Sequence, residues 1–477
     1  MLSRTDFLYS EFAKRLTVEA TPCQDRFLRS AAAFLTSDDG DIMVLNGYAG
    51  TGKTTALAAV VDALEALGLH TVLLAPTGRA AKVLSEMCGR PAYTIHKHIY
   101  KQRSVGDDGF GQFNLVPNKA KNTLFVVDEV SLIGIDDTNE SSAAFGSGNL
   151  LDDLIHFVRN GSDCRLLLAG DAAQLPPIGL EASPALSPEF MKSFGGVCFE
   201  TLTTVVRQAR ESGILHNATL LRKLISEASP DETYDSLKLE LKDFPDVERV
   251  SGENLIETLS DAYSQWGEDS VEVLCRSNKR AIRYNLGIRS QVQYKEESLV
   301  RGDRLMIVKN CYQGLEGVEG IDYIANGDMA NLLKISGFED RYGLHFANAS
   351  LAFPDYGGAI VKAKVCLDTL QSESASLTYE QQNALYQGVN EDYSSIKGKK
   401  ARYDKVKEDP YFRALQLKYA AAITAHKSQG GQWDCVFVDC PFWQEEQTLD
   451  DLKWLYTAIT RAVKKLYLVN FPDRFFK

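Results

Sequence analysis

The sequence predicts an α/β protein built on parallel, doubly wound sheets, and three observations support that fold class. A short apolar run at 42–45 leads into a glycine-rich loop at 47–54, and a helical stretch follows it. A second alternation of strand and helix begins at 271 and resumes after 419, so a second α/β unit encloses an insertion. Alternation of this kind predicts parallel sheets with the functional site at the strand carboxyl ends. Further apolar runs, each followed by a helix or a turn, lie at 71–75, 124–127 and 165–169.

The loop at 47–54 reads G-Y-A-G-T-G-K-T and matches the phosphate-loop pattern G-x-x-x-x-G-K-[ST] in full. Its glycines allow backbone N–H groups to turn inward around a phosphate, and the following helix adds the positive end of its dipole. We expect Lys53 to pair with the β- and γ-phosphates of ATP and the Thr54 hydroxyl to ligate Mg²⁺. The alternative is a glycine-rich turn that matches by chance. The predicted nucleotide-contacting residues of the loop are Gly47, Ala49, Gly50, Thr51, Gly52, Lys53, Thr54 and Thr55.

Two acids, Asp128 and Glu129, end the third apolar run. In a phosphate-loop protein, an acid at the carboxyl end of a buried strand is the Walker B arrangement. Asp128 is expected to hold Mg²⁺ through water, and Glu129 to orient or deprotonate the attacking water. The alternative is a charge pair at a helix N-terminus. After the fourth apolar run, the amide of Gln174 can sense a γ-phosphate.

Composition limits the classes of protein that fit. The chain of 477 residues should hold more than one domain, and its net charge of −12 argues against a general nucleic-acid coat protein. A narrow binding groove remains compatible with that charge. The nine cysteines are scattered without a C-x-x-C pair, which favours free thiols in a reducing compartment. The N-terminus carries charges throughout, so we expect no signal peptide, and because no apolar run is long enough to cross a bilayer, we expect no membrane span. We therefore expect a cytoplasmic protein.

Several polar segments leave two interpretations open. Thr77 and Gly78 stand where a strand runs into a helix, which fits either a second anion site or a simple helix cap. Thr94 and His96 lie on a short element that would by default be solvated surface. The stretch 101–120 is rich in glycine and aspartate and contains Phe110 and Phe113, so it predicts a protruding hairpin or a disordered loop with a packed phenylalanine.

The motifs, taken together and in order, resemble those of superfamily 1B DNA helicases. The similarity is strongest to the RecD/Dda/Pif-type group, especially its Dda-like and RecD-like members, and extends from about 21 to 470. The ordered set is far more diagnostic than any one motif. The segments that carry the resemblance are 47–54, 75–81, 128–131, 170–177, 206–208, 424–430 and 456–462.

The resemblance implies a motor of two RecA-like domains with ATP bound in the cleft between them. Alternating short strands from 300 to about 368 predict a small β-barrel, which the resemblance implies is SH3-like. The hairpin at about 97–121 would be the strand-separating pin of the first domain. The implied divisions are a first RecA-like domain at 1–185, the first part of a second at 186–295, a barrel insertion at 296–370, a helical arm at 371–411 and the second part of the second domain at 412–477.

Residue roles follow from the resemblance by motif position. Gln24, about two dozen residues before the phosphate loop, would read the adenine. Gln174, Arg207 and Arg461 would contact the γ-phosphate, the two arginines in the manner of arginine fingers. The residues assigned to the single-stranded DNA track and the pin are Thr77, Gly78, Arg79, Thr94, His96, Phe110, Phe113, His426 and Ser428.

The leading hypothesis is an ATP- and Mg²⁺-dependent DNA helicase that moves 5′→3′ on single-stranded DNA and acts at single/double-strand junctions, as a monomer and away from membranes. The polarity, and a bacterial or phage-like, nucleoid-associated setting, are implied by the resemblance alone. One alternative is a helicase or ATPase subunit of an ATP-dependent exodeoxyribonuclease complex, although no carboxylate-rich nuclease domain is evident. Another is a non-motor phosphate-loop switch or kinase, which has no need for the motif at 424–430. DNA-stimulated ATPase activity, and strand displacement without cleavage, separate these hypotheses.

Overall fold

Two parallel sheets and a closed barrel form the framework, so the predicted α/β class is confirmed. A two-stranded antiparallel sheet belongs to the first half. Among the residues described, no helix is long and apolar enough to cross a bilayer. The computed structural model describes residues 3–105, 111–134, 146–206, 212–228, 233–234, 237–311, 315, 318, 321, 324–442 and 446–477.

The first sheet has six parallel strands in the order β3-β2-β6-β7-β1-β8. The strands of this half are β1 (Ile42–Gly47), β2 (His70–Ala75), β3 (Ala92–Thr94), β4 (Tyr100–Val105), β5 (Gly111–Leu115), β6 (Thr123–Val127), β7 (Arg165–Gly170) and β8 (Val197–Leu202). The helices are α1 (Arg4–Arg15), α2 (Pro22–Thr36), α3 (Lys53–Ala66), α4 (Gly78–Cys88), α5 (Ile95–Ile99), α6 (Leu150–Arg159), α7 (Pro188–Met191) and α8 (Gly213–Glu227).

The first sheet continues past the boundary predicted at 185. Strand β8 pairs in parallel with β1, and Val44 lies opposite Phe199. Five of the six β8 residues are only half-buried, as suits an edge strand, so its sequence lacks the apolar run that marks β6 and β7. Strands β4 and β5 form the antiparallel hairpin expected at 101–120.

The second sheet has five parallel strands in the order β16-β10-β17-β18-β9. The strands of the second half are β9 (Val247–Val250), β10 (Val271–Cys275), β11 (Arg304–Ile307), β12 (Met329–Arg341), β13 (Leu344–Phe353), β14 (Ala359–Cys366), β15 (Leu415–Tyr419), β16 (Ala422–Thr424), β17 (Trp433–Asp439) and β18 (Ala462–Val469). The helices are α9 (Leu255–Trp266), α10 (Asn278–Gly287), α11 (Tyr379–Asp392), α12 (Lys399–Glu408), α13 (Ala425–Ser428) and α14 (Leu449–Ile459).

Strands β11 to β15 close into the barrel, whose last strand follows the arm instead of preceding it. Strand β15 pairs with β14 in parallel and with β11 antiparallel, so the barrel extends beyond the 296–370 predicted for it. The reason is that closure needs a fifth strand, which comes from the segment 412–477 that was expected to belong wholly to the second sheet's domain. Helices α11 and α12 form the arm and pack on the barrel through Leu385, Val389 and Val406.

The two sheet domains share one core at their interface. Leu175, on the loop after β7, is fully buried and belongs to the same cluster as Leu455 and Tyr456 of α14. Burial of this kind stabilises the contact in proportion to the apolar area removed from water. The position of the loop after β7 therefore depends on the position of the second domain.

Candidate nucleotide site and domain interface

The phosphate loop runs from β1 to α3 with the geometry that its glycines allow. Gly50 and Gly52 have φ values of 72° and 71°, in the left-handed region that favours glycine. A Cβ on Gly52 would lie 2.4 Å from Nε2 of Gln24, so this position also has no room for a side chain. Gly52 caps α3, whose first residue is Lys53. The loop thus presents a helix N-terminus in the form that binds phosphate.

Lys53 and Asp128 form a buried ion pair beneath the loop. Nζ of Lys53 lies 3.0 Å from Oδ1 of Asp128, and both residues are buried. Burial alone would lower the pKa of Lys53, but the carboxylates of Asp128 and Glu129 outweigh it and raise the pKa above its usual range. The ammonium is therefore charged at neutral pH and available to phosphate oxygens. Thr54 and Thr55 follow on the first turn of α3 and are half-buried.

Glu129 and Gln174 each carry a buried oxygen that has no hydrogen-bond partner among the residues described, Oε2 in the first and Oε1 in the second. Glu129 also adopts a left-handed φ of 57°, which costs a non-glycine residue free energy. Buried polar atoms are nearly always paired in folded proteins, so two orphaned oxygens in one site fit a missing ligand. The water that attacks the γ-phosphate, and water bound to a Mg²⁺ near Asp128, would donate to these oxygens.

Gln24, on α2, holds the backbone of the phosphate loop through hydrogen bonds. Its Nε2 donates to the carbonyls of Thr51 and Gly52 at 3.1 and 3.3 Å, and its Oε1 accepts from the backbone N–H of Thr21 at 2.9 Å. The side chain is fully buried. An adenine contact, as predicted for this residue, would require these bonds to be exchanged. The capping box that Gln24 forms with Thr21 is a sequence signal for the bracing role.

Tyr456 joins the phosphate loop to the second domain. Its hydroxyl accepts from the backbone N–H of Ala49 at 2.9 Å and donates to Oδ2 of Asp171 at 2.7 Å. Burial raises the pKa of Asp171, although the Tyr456 hydroxyl and Lys53 oppose that shift. The sequence analysis gave Tyr456 no role, and its place at the start of the motif at 456–462 was the only available signal.

The backbone of Leu175 is held on both sides by the second domain. Its N–H donates to Oγ1 of Thr457 at 2.8 Å, and its carbonyl accepts from Nε2 of Gln429 at 2.8 Å. Gln429 and Thr457 are buried and belong to two motifs of the second sheet. Because Leu175 follows Gln174 directly, movement of the second domain would displace the orphaned Gln174 oxygen. Sequence reasoning missed both residues, since each acts only through a contact between domains.

Arg461 is held within its own domain. Its guanidinium donates to the carbonyls of Thr457 and Gly431 at 3.1 and 3.2 Å and to Oγ1 of Thr460 at 3.2 Å. It is buried and makes no hydrogen bond to the phosphate loop in the part of the chain described. A γ-phosphate contact would require it to leave these partners. Arg207 lies outside the described residues.

Two of the predicted DNA residues, Thr77 and Arg79, contact Gly430 and Trp433 of the segment after α13. Oγ1 of Thr77 caps α4 by accepting from the N–H of Ala80 at 3.2 Å, and Gly430 packs directly against both residues. The guanidinium of Arg79 stacks on the Trp433 ring, 3.9 Å from its centroid. Ser428 is fully buried and its hydroxyl donates to the Ala425 carbonyl at 2.7 Å, so it presents no hydroxyl to a ligand.

The remaining predicted DNA residues are dispersed. Thr94 caps α5, and His96 packs against the ring of Tyr100. His426 is half-buried, and burial lowers its pKa, which favours neutral imidazole. Phe113 packs against the core of the first domain, in line with the packed-phenylalanine alternative. Phe110 lies outside the described residues.

Comparison with known proteins adds to this geometry. Residues 28–224 match a family described as an AAA domain, and 419–469 match the UvrD-like helicase C-terminal domain. The ATP-dependent RecD2 DNA helicase of Deinococcus radiodurans is 36% identical over 185 residues, 37% of this chain and 21% of that protein. The ATP-dependent DNA helicase dda of enterobacteria phage T4 is 40% identical over 93 residues, 19% of this chain and 21% of that protein. Over these parts of its length the chain is similar to ATP-dependent DNA helicases of the RecD2 and Dda type.

The matches also extend to a more distant protein and a solved structure. An uncharacterized protein of Methanocaldococcus jannaschii, MJ1519, is 23% identical over 474 residues, 89% of this chain and 36% of that protein. A Pif1 helicase from Bacteroides, solved with ADP-AlF3 and single-stranded DNA, aligns over 96% of this chain and 95% of that chain, with 16% identity and a TM-score of 0.46. The chain spans between about a fifth and a third of the length of the three curated relatives compared here.

The barrel contacts the N-terminus of α4. A Cβ on Gly78 would lie 2.6 Å from Oδ1 of Asp328, so the carboxylate closely approaches the helix. Oδ2 of Asp328 accepts from the Tyr356 hydroxyl and the Ala325 N–H, both at 2.7 Å. Nζ of Lys82 adds an ion pair at 3.0 Å with Asp355. The predicted DNA residue Gly78 is thus covered by the barrel in this conformation.

Asp328 should make stability depend on pH. Burial raises its pKa to about 7, from an ordinary value of 3.8. The folded state therefore binds a proton that the unfolded state releases, and stability present at low pH is lost as pH rises from about 4 to about 7, by up to about 1.4 kcal/mol per pH unit. In melting curves across this range, Asp328→Asn should lack that decline, whereas Asp355→Asn should retain it. Parallel pH curves for wild type and Asp328→Asn would contradict the assignment.

Replacing Tyr456 by phenylalanine should slow ATP turnover roughly tenfold or more with little change in nucleotide affinity. The ring still packs, but the Ala49 N–H and the Asp171 carboxylate lose their shared partner, at a cost of about 1–3 kcal/mol. Tyr467→Phe is the matched control, because that hydroxyl makes no hydrogen bond within the described residues. Steady-state kinetics on both variants measure the effect. A wild-type rate of ATP turnover in Tyr456→Phe would contradict a role for this hydroxyl in coupling the phosphate loop to the second domain.

Proposed function

We propose that this chain is an ATP-dependent DNA helicase that hydrolyses ATP between its two parallel-sheet domains and moves 5′→3′ on single-stranded DNA. The observation that carries the proposal is that the second domain hydrogen-bonds the first at the nucleotide site. Tyr456 contacts the phosphate loop, and Thr457 and Gln429 contact the backbone of Leu175. A nucleotide that alters the loop thereby acts on the second domain. The names of the relatives in Deinococcus radiodurans and phage T4 support the same activity.

The roles proposed for the site residues follow from their positions. Lys53 neutralises the transferred phosphoryl group, and the orphaned Oε2 of Glu129 accepts the proton of the attacking water. Gln174 orients that water or the γ-phosphate. Thr54 and Asp128 would hold Mg²⁺, whose charge would offset that of the phosphates. Arg207 and Arg461 are proposed to reach the γ-phosphate when the domains close.

The DNA substrate is proposed to cross the face shared by α4 and the segment after α13. Thr77 and Arg79 border that face, and His426 is proposed to reach it from α13. The barrel contact at Asp328 would have to shift to admit a phosphate at Gly78. The 5′→3′ polarity is proposed from the resemblance of the ordered motifs. Phe110 remains the proposed fork-contacting residue of the hairpin.

DNA-stimulated ATPase activity tests the proposal. Adding a single-stranded oligonucleotide should raise ATP turnover severalfold, and the labelled oligonucleotide should stay intact on a denaturing gel. An ATP turnover rate that does not change when DNA is added would favour a phosphate-loop switch or kinase. Cleavage of the oligonucleotide would favour a nuclease.

A further inference from the structure

A groove of about 510 Å³ with polar and apolar residues in its lining crosses the barrel on a surface that none of the assigned functions uses. It lies over strands β12, β13 and β14 and is bordered by the chain that returns from the arm at 410–415. Among the residues described, four cations line it and no carboxylate does. The whole chain has 64 acids and 52 lysines and arginines, so the groove is positively charged in a protein whose net charge is negative.

The lining side chains are arranged in two cross-strand rows. In one row Lys334 lies opposite Ser350, which lies opposite Lys362. In the next row Ser336 lies opposite Asn348, which lies opposite Lys364. Neighbouring strands are about 4.8 Å apart, and positions two residues apart along a strand are separated by about 6.6 Å. The register therefore builds a small lattice of ammonium, hydroxyl and amide groups.

Three of the four cations form no direct ion pair within the described part of the chain, although Arg413 interacts with the carboxylate of Glu408 at longer range. Lys334, Lys362 and Arg413 are exposed and form no ion pair with any residue that the structure describes. Lys364 alone is paired, with Glu339 at 3.2 Å, and its ammonium lies 4.3 Å from the centroid of the Tyr411 ring. Unpaired cations beside hydroxyl and amide donors are the groups that contact phosphate and sugar in protein–DNA complexes.

We propose that this groove binds the phosphate backbone of duplex DNA. No aromatic side chain lines it among the described residues, and Phe338, although exposed on β12, is not part of the lining. Single-strand sites combine charge with aromatic stacking platforms, whereas a duplex offers only its backbone and groove edges. The inference rests on the proposed helicase function, because a motor that separates strands must bind the duplex ahead of the separated strands.

The test measures binding of a blunt, untailed duplex by fluorescence anisotropy at several salt concentrations. The variant is the triple substitution Lys334→Gln, Lys362→Gln and Arg413→Gln. Three lost phosphate contacts should reduce the slope of log affinity against log salt by about 2 to 3 and weaken binding roughly tenfold or more at low salt. Affinity for a single-stranded oligonucleotide and the ATP turnover it stimulates should stay near wild type.

The matched control carries Lys397→Gln, Lys399→Gln and Lys400→Gln, three exposed lysines near and in α12 that change the net charge equally. Equal weakening in both triple variants would overturn the proposal in favour of general electrostatic attraction. Unchanged duplex binding, or a loss confined to the single strand, would also overturn it. If wild type shows no DNA-stimulated turnover, the helicase proposal fails, while the duplex-binding result still decides on the groove.

Discussion

Replacing Lys53 by alanine is expected to abolish ATP turnover while single-stranded DNA binding stays close to wild type. The ammonium lies 3.0 Å from Asp128 in a buried site and is held in its charged form by two carboxylates. Without it, a triphosphate would place its negative charge beside an unpaired buried carboxylate. Phosphate release with and without DNA, and anisotropy with a labelled oligonucleotide, measure the two properties.

The control for this variant is Lys192→Ala, an exposed lysine of the same domain, which should retain turnover. A melting curve is needed, because removing one partner of a buried ion pair costs about 3–5 kcal/mol. If a folded Lys53→Ala protein hydrolysed ATP at a near-normal rate, the assignment of the phosphate loop would be wrong.

Replacing Glu129 by glutamine should lower ATP turnover by about 10²–10⁴-fold, the usual contribution of a positioned general base. The amide keeps the shape of the side chain and cannot accept the proton of the attacking water. Nucleotide affinity, measured by titration with a fluorescent ADP, should change little, because the lost interaction belongs to the transition state.

Glu189→Gln, an exposed glutamate on α7, is the matched control and should leave kcat unchanged. A Glu129→Gln variant that lost nucleotide affinity but kept its turnover rate would show that the carboxylate makes a ground-state contact.

Local motifs could be predicted from the sequence because their geometry depends on adjacent residues. The strand before the phosphate loop, its glycines and the helix starting at Lys53 follow from residues within a single stretch. The α/β class follows in the same way from the alternation of buried strands and helices. Long-range strand pairing does not, which is why β8 and β15 fall outside the predicted domain limits.

Side-chain roles that depend on tertiary contacts were the harder part to predict. Gln24, Ser428 and Arg461 occupy motif positions, yet their polar groups pair with nearby backbone in this conformation. Tyr456 and Gln429 received no role, although each bridges the two domains. A motif identifies which residues matter, and only the assembled interface shows which atoms each one contacts.

Strand separation on tailed duplexes tests the central claim most directly. Two duplexes of the same sequence, one with a 5′ single-stranded tail and one with a 3′ tail, are incubated with the protein, ATP and Mg²⁺ and resolved on a native gel. The account predicts ATP-dependent release of the strand from the 5′-tailed duplex alone. Efficient opening of the 3′-tailed duplex would contradict the proposed polarity, and no opening of either would contradict a strand-separating motor.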